Sequence, residues 1–135
     1  MPTLSLSQTV QAVASGERSA AAVLETCIAR IEATDARVNA FTGTRFDAAR
    51  AQAAQVDVRR ARGEPLGPLA GVPFAVKNLF DISGEVTLAG SKVNRSHPPA
   101  TADAVLVHRL QAAGAVLVGS LNMDEFAYGF TTENT

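Results

Sequence analysis

The stretch "GVPFAVKNLFDI" at residues 71–82 carries an apolar run, Val72, Phe74, Ala75 and Val76, that ends in Lys77, with Asn78 directly behind it. An ammonium group is a strongly hydrated point charge, and burying it is costly unless it is paired or gives up its proton. Two readings stand open at this position. Lys77 sits at a strand end and reaches water along its aliphatic stem, or it is a base held near neutrality by burial.

Few other side chains compete for chemistry. His97 and His108 are far apart and neither has a second ligand close in sequence, so both read as surface or packing residues. Ser83, Ser91, Ser96 and Ser120 lie outside any G-x-S-x-G turn, and no Gly-rich phosphate loop is present. Asp124 and Glu125 are adjacent, which on a helix points them different ways and makes a poor acid–base pair; Glu125 reads as a charge at a helix N-terminus. Cys27 falls beside an apolar helix face and reads as a small core residue. Taken alone, these residues give one suspicious lysine and no partner for it.

The elements that must position Lys77 follow from periodicity. Ser5 and Gln8 have capping-box spacing, and Leu6, Val10 and Val13 then define one face of a short helix that Gly16 stops. A second helix spans about Ser19 to Thr34, with Leu24, Ile28 and Ile31 on one side. "NAFTGT" at 39–44 reads as a weak strand or an extended connector. A third helix, roughly 45–62, turns Phe46, Ala49, Ala53 and Val56 inward and ends in a solvated cluster of Arg59, Arg60 and Arg62. A turn-rich bridge at 63–73 delivers the chain into the strand that ends at Lys77. A long polar segment, 81–100, precedes a helix from Thr101 to Ala113 with Leu106, Leu110 and Ala113 inward. "AVLVGS" at 115–120 then reads as a buried strand. Strand, helix, strand at these lengths predicts an α/β layer with a parallel pair, and functional groups in such layers gather at the carboxyl ends of strands. Lys77 and "SLNMDEFAYG" both lie just past such ends.

Composition bounds the class. The 135 residues are 47% hydrophobic and 19% charged, as in a globular domain, and the net charge of −1 gives no footprint for nucleic acid or for an anionic membrane. One cysteine permits no internal disulfide, and the opening "MPTLSLSQTV" lacks the basic and apolar regions of a signal peptide. No apolar stretch is long enough to span a bilayer. A cytoplasmic setting is the expectation.

From Gly67 onward the chain resembles the amino-terminal part of an amidase signature family enzyme, through "GPLAGVPFAVKN", "LAGS" and "PPATADAVLVHRLQAAGAVLVGSLNMDEFAYGFTTENT". The resemblance implies part of the mixed sheet of that family's α/β/α sandwich. Residues 1–66 would form a mainly helical lead-in and 67–135 the start of the catalytic α/β core, together a single incomplete domain. It implies amide hydrolysis or nitrogen transfer by a Ser–cis-Ser–Lys triad in which Lys77 is the lysine, a neutral amine that takes the nucleophile's proton through the bridging serine, its pKa lowered by burial.

Within the family, "VKNLFDI", "TLAGSKVN" and "NMDEFAYGFTTENT" are similar to the 1-carboxybiuret hydrolase branch. The alternative branch is the A subunit of the glutamyl-tRNA(Gln) amidotransferase. That branch typically has "VKDN" after the strand, Lys where this chain has Ser120 and Met where it has Tyr128. Tyr128 and Gly129 would border the substrate pocket, Tyr128 either donating a hydrogen bond to a polar ligand or packing as a plain aromatic. Asn122 and Asn134 read as turn or backbone-bonding residues.

The family's bridging serine, oxyanion hole and nucleophile should follow "TTENT", so these 135 residues carry one triad member and are expected to be inactive alone and prone to aggregation. No metal or organic cofactor is called for. The partners implied are a small amide or ureido substrate and a small helical subunit, with nucleic acid only in the amidotransferase case. A non-catalytic α/β interaction module is the other class that stays open.

Overall fold

The computed structural model describes residues 4–132. Three helices come from the first half of the chain: α1 (Leu6–Ser15), α2 (Ala20–Val38) and α3 (Phe46–Ala61). Three strands, β1 (Phe41–Thr44), β2 (Pro73–Lys77) and β3 (Val116–Leu121), form one sheet in the order β1-β3-β2. Helix α4 (Val105–Ala112) precedes β3, and short 3₁₀ turns occupy Lys92–Ser96 and Glu125–Ala127.

The expected capping box is present at α1: the Ser5 hydroxyl accepts from Gln8 N–H, the Gln8 side chain accepts from Ser5 N–H, and Gly16 closes the helix at φ +80°. The buried face differs from the expected one. Thr9, Ala12 and Val13 are buried, whereas Leu6 is exposed. Helix α2 starts where expected, with Ser19 as its cap, but runs one turn beyond Thr34 to an Asn39 cap in the left-handed region. Its first turn is also capped from outside the helix, since the Asp57 carboxylate on α3 accepts from Ala20 N–H at 2.8 Å and Ala21 N–H at 3.0 Å.

The sheet separates two apolar clusters. Val116 and Val118 of β3 face Leu24, Ile28, Ala49, Ala53 and Val56 on α2 and α3, while Leu117 joins Ile82, Val107, Phe74 and Val76 on the α4 side. Leu24 and Ile28 are each 1% exposed, and burial of such a side chain stabilises by about 1.5–3 kcal/mol. β2 and β3 run parallel, as the strand–helix–strand order predicts, and "NAFTGT" becomes the antiparallel edge strand β1.

α4 starts four residues later than expected and turns a different face inward. Asp103, within the predicted helix, instead accepts from Ser83 N–H at 2.8 Å and from the Gln111 amide at 2.7 Å. Val107 becomes the fully buried residue, while Leu106 is 56% exposed. Among the described residues, no helix is long and apolar enough to cross a membrane.

Gly119 marks where β1 and β3 approach most closely. A Cβ there would collide with the Gly43 carbonyl oxygen and lie 3.2 Å from Thr44 Cα. The registers of both flanking pairs slip beside it, between Phe41 and Gly43 and between Phe74 and Ala75.

Candidate active site

The carboxyl ends of β2 and β3 lie side by side, with Lys77 paired to Leu121 in register. Lys77 is the last residue of β2 and is exposed. Among the described residues Lys77 stands as a strand-end residue that reaches water. Its backbone is firmly held: Lys77 O accepts from Phe80 N–H at 3.1 Å, and Asn78 N–H donates to Leu121 O at 3.0 Å.

Asn78, which sequence reasoning passed over as the neighbour of Lys77, is the organising residue here. It is 6% exposed. Its Nδ2 donates to Thr42 Oγ1 at 3.3 Å and its Oδ1 accepts from Gly90 N–H at 3.0 Å. Thr42 Oγ1 in turn lies 3.1 Å from Ser120 Oγ. Asn78 and Ser120, two of the positions at which this chain departs from the expected amidotransferase pattern, thus meet across one threonine of β1.

The loop from Leu88 to Ser91 is clasped between the two strand ends. Ala89 N–H donates to Asn78 O at 3.0 Å, and Ala89 O accepts from Phe126 N–H at 2.8 Å. Ser91, 3% exposed, donates its hydroxyl to Glu125 Oε1 at 2.6 Å. Glu125, the first residue of the 3₁₀ turn as expected of a charge at a helix N-terminus, also bonds this loop. Ala89, Phe126 and Ala127 adopt φ of +49°, +52° and +57°. Side-chain-bearing residues reach this region at a cost of order 1–3 kcal/mol each, and such strain concentrates at functional sites. Clefts open here of about 200 Å³ between Thr42, Phe80, Ile82, Thr87 and Ser120, of about 340 Å³ lined by Val38, Asn39, Leu121 and Asn122, and of about 90 Å³ beside Asn78, Leu88, Gly90 and Ser91.

Tyr128 is 95% exposed and Gly129 is also exposed, so neither packs in a closed pocket of the described residues. Asn122 accepts from Met123 N–H at 2.9 Å, the local backbone bond expected of it, and Asn134 lies outside the described residues. His97 and His108 are both exposed, and among the described residues no three His, Cys, Asp or Glu side chains gather to hold a metal. A larger cleft, about 540 Å³, is lined by Leu6, Val23, Cys27, Arg30 and Val72 and so adjoins the amino-terminal approach to β2, away from Lys77. Burial beside that cleft raises the Cys27 thiol above its usual 9.0.

The Amidase family matches residues 22–135. The chain is 67% identical over 126 residues to the AtzE subunit of the 1-carboxybiuret hydrolase of Pseudomonas sp. (strain ADP), covering 93% of this chain and 28% of that protein. It is 50% identical over 123 residues to the A subunit of the glutamyl-tRNA(Gln) amidotransferase of Streptomyces coelicolor, covering 91% of this chain and 24% of that one. An inhibitor-bound s-triazine catabolic enzyme, solved as a vestigial protein complex, superposes with a TM-score of 0.96 at 64% identity, over 98% of this chain and 29% of its own. A bacterial aryl acylamidase of the amidase signature family gives a TM-score of 0.90 at 32% identity, over 98% and 28% of the two chains. The chain thus spans between 24% and 29% of the length of these relatives.

Proposed function

The chain belongs to the amidase family, and from that premise we propose that the protein carrying it is an amidohydrolase that cleaves a linear amide or ureido C–N bond. The observation that carries this reading is the 67% identity to a 1-carboxybiuret hydrolase subunit. Lys77 is the base of a Ser–cis-Ser–Lys triad: it takes the proton of the attacking serine through the bridging serine and returns it to the departing nitrogen. Lys77 suits that role by place, at the carboxyl end of a parallel strand where Asn78 fixes the backbone. Desolvation of its amine is a task for the segments that complete the sheet.

Tyr128 and Gly129 border the substrate. The exposed phenol is available to donate one hydrogen bond to a ureido or carboxylate oxygen. Residues 1–66 form the helical lead-in and 67–135 the beginning of the catalytic core, parts of a single domain. The protein works in the cytoplasm and its partner is a small helical subunit, in keeping with the vestigial complex of the s-triazine relative.

The second reading, the A subunit of an amidotransferase, is favoured by the 50% identity to such a protein. Ammonia release decides between them. Release from 1-carboxybiuret without tRNA, falling by about 10³-fold or more on Lys77→Ala, supports the hydrolase. Strict dependence on glutamine and charged tRNA establishes the transferase, and no release from either points to a non-catalytic module.

A further inference from the structure

The peptide unit joining Lys77 to Asn78 is bonded at both ends, its carbonyl by Phe80 N–H and its N–H by Leu121 O. Beyond it, every polar group of Asn78 is engaged with a different part of the site. The side-chain NH₂ bonds β1 through Thr42, the side-chain oxygen holds Gly90 N–H, and the backbone oxygen holds Ala89 N–H. Thr42 extends this bonding to Ser120 of β3. These bonds run between amide, hydroxyl and backbone groups, none of which changes charge across the pH range in which a lysine base would titrate.

The exposed amine of Lys77, by contrast, lies at the end of a flexible stem whose direction is set through the backbone that carries it. We infer that Asn78 is the positioning residue for Lys77: its carboxamide pins the Lys77–Asn78 peptide against β1 and the left-handed turn at Ala89, and thereby aims the lysine stem. The inference rests on the reading of Lys77 as the triad lysine. It assigns to the neighbouring residue a role that neither burial nor charge of the lysine explains.

The test uses the complete protein and a probe that needs no knowledge of the substrate. A fluorophosphonate labels the nucleophilic serine at a rate set by the base that activates it, and that rate is followed against pH. Lys77→Ala abolishes labelling. Asn78→Leu, of similar size but without hydrogen bonds, slows it by about 100-fold, the order expected for misplacing a catalytic group by about 1 Å, and displaces the midpoint of the pH profile. Asn78→Asp can still accept from Gly90 N–H and from the Thr42 hydroxyl, and it keeps the rate within about threefold of the parent.

Wild-type rate and midpoint in Asn78→Leu, with Lys77→Ala inert, overturn the inference and leave the lysine reading standing. If both Asn78 variants lose labelling in step with their melting temperatures, the residue is merely structural and the inference falls. Labelling that survives Lys77→Ala overturns the lysine reading and the inference with it.

Discussion

Replacing Gly119 by alanine tests the close approach that sets the geometry of the sheet. The new methyl would meet the Gly43 carbonyl oxygen well inside contact, with Phe41 Cδ1 at 3.1 Å and Thr44 Cα at 3.2 Å. A carbon and a carbonyl oxygen approach no closer than about 3.3 Å, so β1 must move away by close to 1 Å. The Phe41 ring can turn aside, but the Gly43 and Thr44 backbones cannot. Overpacking of this kind costs about 1–3 kcal/mol. A shift of that size also stretches Arg45 N–H to Val118 O, now 2.8 Å, out of hydrogen-bond range, adding about 1 kcal/mol.

The expected loss is about 3 kcal/mol, read in the complete protein. Gly84→Ala is the control: nothing lies within 4 Å of its Cβ, and only its φ of +85° opposes the change, for about 1–2 kcal/mol. Urea and thermal unfolding of both variants, with hydrogen exchange at Arg45 N–H, form the assay. A Gly119→Ala variant that melts no lower than Gly84→Ala, with Arg45 N–H still protected, would refute the steric argument.

Two further outcomes follow from contacts on the helical side. Asp57→Ala leaves two N–H groups at the start of α2 uncapped and should cost about 1–2 kcal/mol in urea unfolding, with Asp57→Asn losing only part of that. Because burial raises the Cys27 thiol, its neutral form favours the folded state below pH 9.0, and that stabilisation fades as pH rises through the raised value. At pH 8 the native thiol should therefore react with an aromatic disulfide reagent about tenfold more slowly than in urea, and equal rates would contradict its burial.

Local signals in the sequence were reliable where a single residue decides the outcome. Ser5, Gln8 and Gly16 bound α1 where their spacing places them, α2 begins beside Ser19 as expected, and the parallel pairing of the Lys77 strand with the "AVLVGS" strand follows from the helix between them. Helix faces were less legible, because apolar spacing alone does not show which of two apolar stripes meets the sheet. In α4 the Asp103 bonds to Ser83 and Gln111 delay the helix, and Val107 is buried in place of Leu106. At the candidate site the lysine was legible by its place after an apolar run. Its setting was not, since Asn78, Thr42, Gly90 and Ser120 are brought together from four separate stretches of chain and each looks ordinary alone. Glu125 opens a short 3₁₀ turn as its sequence position suggests, but its partner, Ser91, lies in a distant loop and could not be read from the chain.

The strand order β1-β3-β2 also dictates a timetable. The central strand is the last of the three to be synthesised, so β1 and β2 have no neighbour to bond until Leu121 has left the ribosome. Helices α2 and α3, which contact one another directly and share the Asp57 cap, can associate long before that. Throughout that interval the nascent chain offers two short edges and the apolar side chains of Phe74 and Val76 to chaperones or to other chains. A pause in translation at any point before Leu121 clears the ribosome would prolong that exposure.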